Sequence, residues 1–273
     1  MDGAGRVTAE ASVRTPFRTG GDGDGDGGDR VEMDVESLRF CLQAVLADLG
    51  DALRLVAAVG LAGMAESGAP LDGGGRALAP VIGWHDRRGA EAVARLDGAF
   101  GPDLALRIGQ PPRPVLTVAK LGWLVANGVD DVDRWLGVPE LVLHDLTGAE
   151  ATEFSLAART GGYHVVARQW MPEVADVLGF PVGVFAEVRA AGTVMGRVSA
   201  AGAAWSGLAE GTPVTVAGHD HLVGMAGAAI GRGSIADSVG TAESLVRRCP
   251  TVPDVAAALG LRLGVTLYPG GEE

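Results

Sequence analysis

Leu38, Cys41, Leu42, Val45, Leu46 and Leu49 recur at helical spacing, which predicts a helix over 34–49. Asp34 can cap its start and Gly50 its end, and Cys41 falls on the apolar stripe and reads as core. Val7, Ala9, Ala11 and Val13 alternate with polar residues, which predicts a half-buried strand over 6–14. Its partner in a hairpin is expected to precede Met1. Residues 55–61 form a continuous apolar run, the pattern of a buried strand. A short strand is predicted within 80–88, and helices over 117–126 and 172–178. Residues 20–29, GGDGDGDGGD, read as a flexible surface loop, without the frame or closing glutamate of a calcium loop.

The chain is organised around residues 211–248. Val214, Thr215, Val216 and Ala217 form a β-branched run ending at Gly218, the signature of a strand. Asp220 follows at once, and the small apolar residues 222–230 predict a helix with Asp220 at or near its start. A second strand is predicted over 234–239, closed by Gly240 and Thr241. One carboxylate and one Gly-Thr turn thus fall near strand ends, where open α/β sheets build their sites.

Composition changes this picture only a little. The chain has 273 residues, 47% of them hydrophobic, enough for one large domain or one and a half. The 43 glycines suit many tight strand-to-helix turns. The net charge of −12 argues against nucleic acid or an anionic membrane as partner. Cys41 and Cys249 are not in a Cys-x-x-Cys pair, so neither a disulfide framework nor a thiolate metal site is expected. The longest apolar run is too short to span a bilayer, and the N-terminus lacks a signal-peptide pattern. A cytoplasmic protein is expected.

Each candidate residue also has an ordinary structural reading. Asp220 could be a helix cap, Trp84 a half-buried core aromatic, and Asp86, Arg87 and Arg88 a solvated or locally paired charge cluster. His219 and His221 flank Asp220 but lack a third ligand at metal spacing, so polar cleft lining is expected and no metal is assigned. Lys120 and Trp123 on one helix face read as structural, and Arg159-Thr160 is given no role. Glu66 lies on a small-residue turn, which leaves its carboxylate open to a ligand.

Four stretches together resemble the FGGY family of carbohydrate kinases. They are VGLAGMAESGAPLD at 59–72, PVIGWHDRR at 80–88, HDLTGAEATEFSLAART at 144–160, and 212–241 with its Gly-His-Asp and Ser-Val-Gly-Thr. The resemblance implies an actin-like ATPase, or ribonuclease H-like, α/β fold with a mixed β-sheet and helices on both faces. It implies a sugar-binding N-terminal domain over 1–217, lacking its first phosphate-loop strand. Residues 218–273 would be a domain-junction segment with the catalytic aspartate and the start of the nucleotide-binding domain.

The activity implied is transfer of the ATP γ-phosphate, with Mg2+, to a hydroxyl of a sugar or polyol. By the same resemblance Asp220 is the catalytic base, and Glu66, Trp84, Asp220 and His221 contact the substrate. Gly240 and Thr241 would approach the ATP phosphates. Partners are then the sugar and ATP, with a homodimer as one arrangement.

The departures are specific. The Gly-Asp-Gly-Thr phosphate loop and the adenosine-binding half are not in this sequence. Glycerol-type kinases have an arginine where Ala65 stands, and a tyrosine near Val115, so a longer polyol or a ketose fits better than glycerol. The other reading is a sugar-binding pseudokinase or fragment without phosphoryl transfer. A third, from fold analogy alone, is an actin-like interaction domain.

Overall fold

The computed structural model describes residues 1–20, 30–231, 233–239, 243–249 and 251–270. The loop expectation for 20–29 falls, apart from Gly20, outside the described residues, as do Gly240 and Thr241. The first half of the chain builds β1 (Arg18–Thr19), β2 (Val31–Met33), α1 (Val35–Leu49), β3 (Val59–Gly63), β4 (Gly68–Leu71) and β5 (Val81–Ile82). Helices α2 (Ala90–Phe100), α3 (Asp103–Ile108) and α4 (Thr117–Ala126) follow, then β6 (Arg134–Gly137), α5 (Val138–Thr147), β7 (Ala151–Glu153) and α6 (Phe154–Ala157). Next come β8 (Tyr163–His164), β9 (Gln169–Trp170), α7 (Pro172–Leu178), β10 (Glu187–Arg189), β11 (Gly196–Arg197), α8 (Ala200–Ser206), β12 (Pro213–His219) and α9 (Asp220–Gly227). The hairpin β13 (Ile235–Val239) and β14 (Glu243–Arg247) precedes α10 (Val255–Gly260).

The strands fall into two main sheets. One is antiparallel, in the order β1-β2-β5-β4-β6. The other has β12 at its centre, antiparallel to β11 and parallel to β3. Parallel pairing needs a long crossover, and here it spans everything from β3 to β12. Because β3 and β12 run the same way, the segments leaving their C-terminal ends emerge at one edge. That edge is where the candidate residues sit.

Helix α4 is buried nearly all round, as its continuous apolar sequence dictates. Val118, Leu121 and Leu124 pack with Leu96, Leu104 and Leu178 in a helical core formed with α2, α3 and α7. Each such side chain contributes about 1.5–3 kcal/mol on burial. A second core lies between α5 and the β3–β12 pair, around Leu143, Leu146, Val214 and Val216.

Two expectations are corrected. Residues 6–14 form no strand and are almost wholly exposed. The alternation there has no partner strand among the described residues, so it has no ladder to join. Asp34 occupies the N-cap position of α1, but its side chain makes no cap hydrogen bond and pairs with Arg18 instead. An arginine within 2.8 Å offers that carboxylate a charged donor.

Candidate active site

Strand β3 ends at Gly63, and the turn beyond it carries Met64, Ala65 and Glu66. Glu66 has φ 57°, in the left-handed region that a side chain rarely adopts. Its side chain is 7% exposed, and Oε1 receives Arg159 at 2.8 Å from Nε. The other arginine branch, Nη1, donates to Oε1 of Gln110 at 2.8 Å. Both arginine contacts to Glu66 fall on Oε1, which leaves Oε2 as an acceptor for a hydroxyl.

Strand β12 delivers Asp220. Its register against β3 shifts between Val216 and Gly218, a bulge that re-aims the strand's end. Gly218 takes φ +122°, and a Cβ there would meet Glu153 Oε2 and Ser155 Oγ at 2.6 Å each. Only glycine fits. Ser155 Oγ donates to Glu153 Oε2 at 2.5 Å and accepts from the His219 backbone N–H at 2.9 Å. The buried Glu153–Ser155 pair therefore holds the turn on which Asp220 stands.

Asp220 is the first residue of α9, and the cap position belongs to His219. The cap expectation for Asp220 is thus corrected by one residue. Its carboxylate is 48% exposed and accepts the His221 backbone N–H at 2.7 Å through Oδ1. The His219 ring lies 3.3 Å from the same oxygen. Burial pushes His219 down to about 4, against the pull of Asp220, so the ring is neutral near pH 7. His221 Nδ1 shares a hydrogen with Ser238 Oγ at 2.6 Å. The ligand atoms of His219, Asp220 and His221 lie within 4.8 Å of one another, with Asp220 between the two imidazoles.

Trp84 comes from the loop after β5. Two residues on, Asp86 is fully buried and takes the Arg88 guanidinium, which also reaches Glu32 at 2.6 Å. Arg88 lies over the Trp123 ring, 4.8 Å from its centroid. Asp86 and Arg88 are locally paired, while Arg87 is exposed, and the pair anchors the loop that presents Trp84.

These elements enclose a cleft of about 860 Å³. Glu66, Trp84, Asp220 and His221 all line it, together with Gln110, Arg113 and Arg159. Gly240 and Thr241 lie outside the described residues, so their position relative to it is not part of this geometry. The far wall is built by the end of α10, at Leu259, and by the segment that follows it to Thr266. They are tied down where the Val265 N–H donates to the Gly109 carbonyl at 2.7 Å. Sequence reasoning singled out Arg159-Thr160 without giving it a role, and it missed this wall. Arg159 carried a weak signal, an arginine at the end of a small-residue helix. The wall carried none.

Comparison with known proteins follows the same lines. Residues 2–227 match the model of the FGGY family of carbohydrate kinases, N-terminal domain. The chain is 30% identical over 189 residues to the L-fuculokinase of Escherichia coli (strain K12), covering 68% of this chain and 40% of that protein. It is 35% identical over 129 residues to the autoinducer-2 kinase of Enterobacter sp. (strain 638), covering 46% of this chain and 24% of that one. Among solved structures, the xylulose kinase from Rhodospirillum rubrum superposes with a TM-score of 0.77 at 22% identity, covering 88% of this chain and 50% of that chain. The fold is the actin-like ATPase fold of these neighbours. The chain spans less than half the length of the curated relatives it matches. No helix among the described residues is long and apolar enough to cross a membrane.

Proposed function

We propose that this chain, which belongs to the FGGY family of carbohydrate kinases, forms the sugar-binding side of an ATP-dependent kinase for a ketose or polyol. The observation that carries the reading is the convergence of Glu66, Trp84 and Asp220, from three separate strand exits, on one cleft. A carboxylate already charge-paired on one oxygen accepts sugar hydroxyls on the other, and an indole covers an apolar sugar face. At about 860 Å³ the cleft has room for more than a three-carbon polyol, in keeping with Ala65 and Val115. Residues 1–217 would be the sugar domain, and 218–273 the junction toward the nucleotide half.

Asp220 is proposed as the general base. As the sugar oxygen bonds to the γ-phosphorus and the bond from that phosphorus to the departing ADP oxygen breaks, the hydroxyl proton passes to the Asp220 carboxylate. Phosphoryl transfer depends mainly on alignment and charge neutralisation, so one placed carboxylate is the protein's part in moving that proton. Its half-exposed position at the start of α9 fits that role and also fits a neighbouring Mg2+. Mg2+-ATP supplies the phosphoryl group and neutralises the charge that develops on it. Gly240 and Thr241 are the residues proposed to meet the phosphates. The proposed setting is the cytoplasm, where ATP is available.

Calorimetric titration of the chain with D-xylulose, L-fuculose and glycerol tests the reading. Saturable binding of a ketose, weakened by Glu66→Ala, is expected. No binding of any member, or binding indifferent to Glu66, would contradict it.

A further inference from the structure

We infer that Lys120 is a positioning residue whose single buried ammonium ties the turn carrying Glu66 to the loop carrying Trp84. Its side chain is fully buried, on a helix that is otherwise apolar. Nζ donates to the carbonyl of Glu66 at 2.5 Å, of Gly83 at 2.8 Å and, at longer range, of Trp84 at 3.4 Å. An ammonium has three N–H donors, and three backbone carbonyls meet them. The first belongs to the turn after β3 and the other two to the loop after β5. The turn after β3 runs into β4, which meets β5 at a single register pair, Gly68 with Ile82, and Lys120 ties the two loops beyond the end of that pairing.

The arrangement has a purpose beyond packing. A core helix facing apolar neighbours gains nothing from a lysine, whose burial is costly unless its donors are all met. Glu66 holds a left-handed φ, a conformation that persists only where its surroundings over-determine it. The Lys120 contact falls on the carbonyl of that same residue. Lys120 does not itself line the cleft. It acts through Glu66 and Trp84, by setting the distance between two side chains proposed to grip the same sugar.

The charged groups facing Lys120 are the carboxylates of Glu66 and Asp86 and the guanidinium of Arg88. Arg159 is tied to Glu66, and Glu32 to Arg88. Burial outweighs the two carboxylates and pushes the ammonium down to about 7. A neutral amine keeps two N–H groups for three carbonyls, so the tether loses a contact as pH rises through that value.

The tether rests on the geometry alone; its effect on substrate rests on the sugar reading, and the experiment separates the two. Backbone hydrogen exchange of this chain is followed without sugar in wild type, Lys120→Met and Lys120→Gln. Exchange at 64–68 and 83–87 should quicken by about tenfold or more in both variants, with amides of α5 and β12 unmoved. In wild type, protection of those two segments, corrected for intrinsic rates, should fall as pH passes from about 6 to about 8.5. That fall should vanish in the variants. Folded variants with unchanged exchange at both segments overturn the inference. Should neither variant fold, a flat wild-type pH profile overturns it. Titration with D-xylulose then adds the functional arm: affinity should drop about tenfold in Lys120→Met. A wild type that binds no ketose removes the sugar reading and leaves the exchange result standing.

Discussion

Gly63 and His219 are register partners in a parallel strand pair, and this relationship brings Glu66 and Asp220 to the same edge of the sheet. Asp220 follows His219 directly, and Glu66 stands three positions after Gly63. Two carboxylates far apart in sequence thereby face one cleft, the placement expected at the carboxyl ends of parallel strands. They differ in environment. Glu66 is charge-paired and largely enclosed, whereas Asp220 is half exposed beside a neutral imidazole.

The pairing of Glu66 with Arg159 gives the first prediction. Arg159→Ala should weaken ketose binding about 10- to 100-fold, the effect of losing a hydrogen bond to a charged group. Arg159→Lys should recover only part, because a lysine cannot bridge Glu66 and Gln110 with one planar fork. Calorimetry on the three proteins measures this. Equal affinity in all three would remove Arg159 from the site.

Gly218 gives the second. Its φ of +122° and the 2.6 Å approach of Glu153 and Ser155 exclude a Cβ. Gly218→Ala should destabilise the chain by roughly 1–3 kcal/mol. Ser155→Ala should cost less in stability, since the strand survives, yet still release the His219 amide that fixes the Asp220 turn. Denaturant melts read the first effect, and the exchange rate of the His219 amide reads the second. A Gly218→Ala protein as stable as wild type would show that the bulge relaxes freely.

The third concerns pH. The folded-state value of His219 lies below the ordinary 6.5, at about 4, because the ring is buried. Between those values the unfolded chain binds the extra proton, so stability falls as pH drops from about 6.5 toward about 4. The slope is at most about 1.4 kcal/mol per pH unit. Above 6.5 the group contributes no pH dependence. His219→Gln should flatten this part of the profile, as seen in melts across the range. An unchanged slope would place His219 in solvent.

Much of this was legible in the sequence. Helices α4 and α7 were predicted with the bounds they have, because their apolar spacing is bracketed by proline, glycine or turn residues. The strand-to-helix exit at Asp220 was legible because β-branched residues give way to Gly218 and then to small apolar ones. Lys120 read as structural, as it is, but what it holds was not legible, because the carbonyls that surround it come from positions 36 to 54 residues away. Arg159 and Glu66 are 93 residues apart, and only the folded chain shows that they meet. The alternation over 6–14 shows the opposite failure, a strand pattern with no partner strand among the described residues.

The central claim is that Asp220 takes the hydroxyl proton of a sugar held in this cleft. It is tested most directly by comparing wild type and Asp220→Asn, each joined to the C-terminal domain of an FGGY kinase, for ketose affinity and for ADP release. Asparagine keeps the shape and an acceptor but cannot take a proton. The account predicts turnover lower by ~10²–10⁴-fold with affinity within a few-fold of wild type. Near-normal turnover in Asp220→Asn would contradict it.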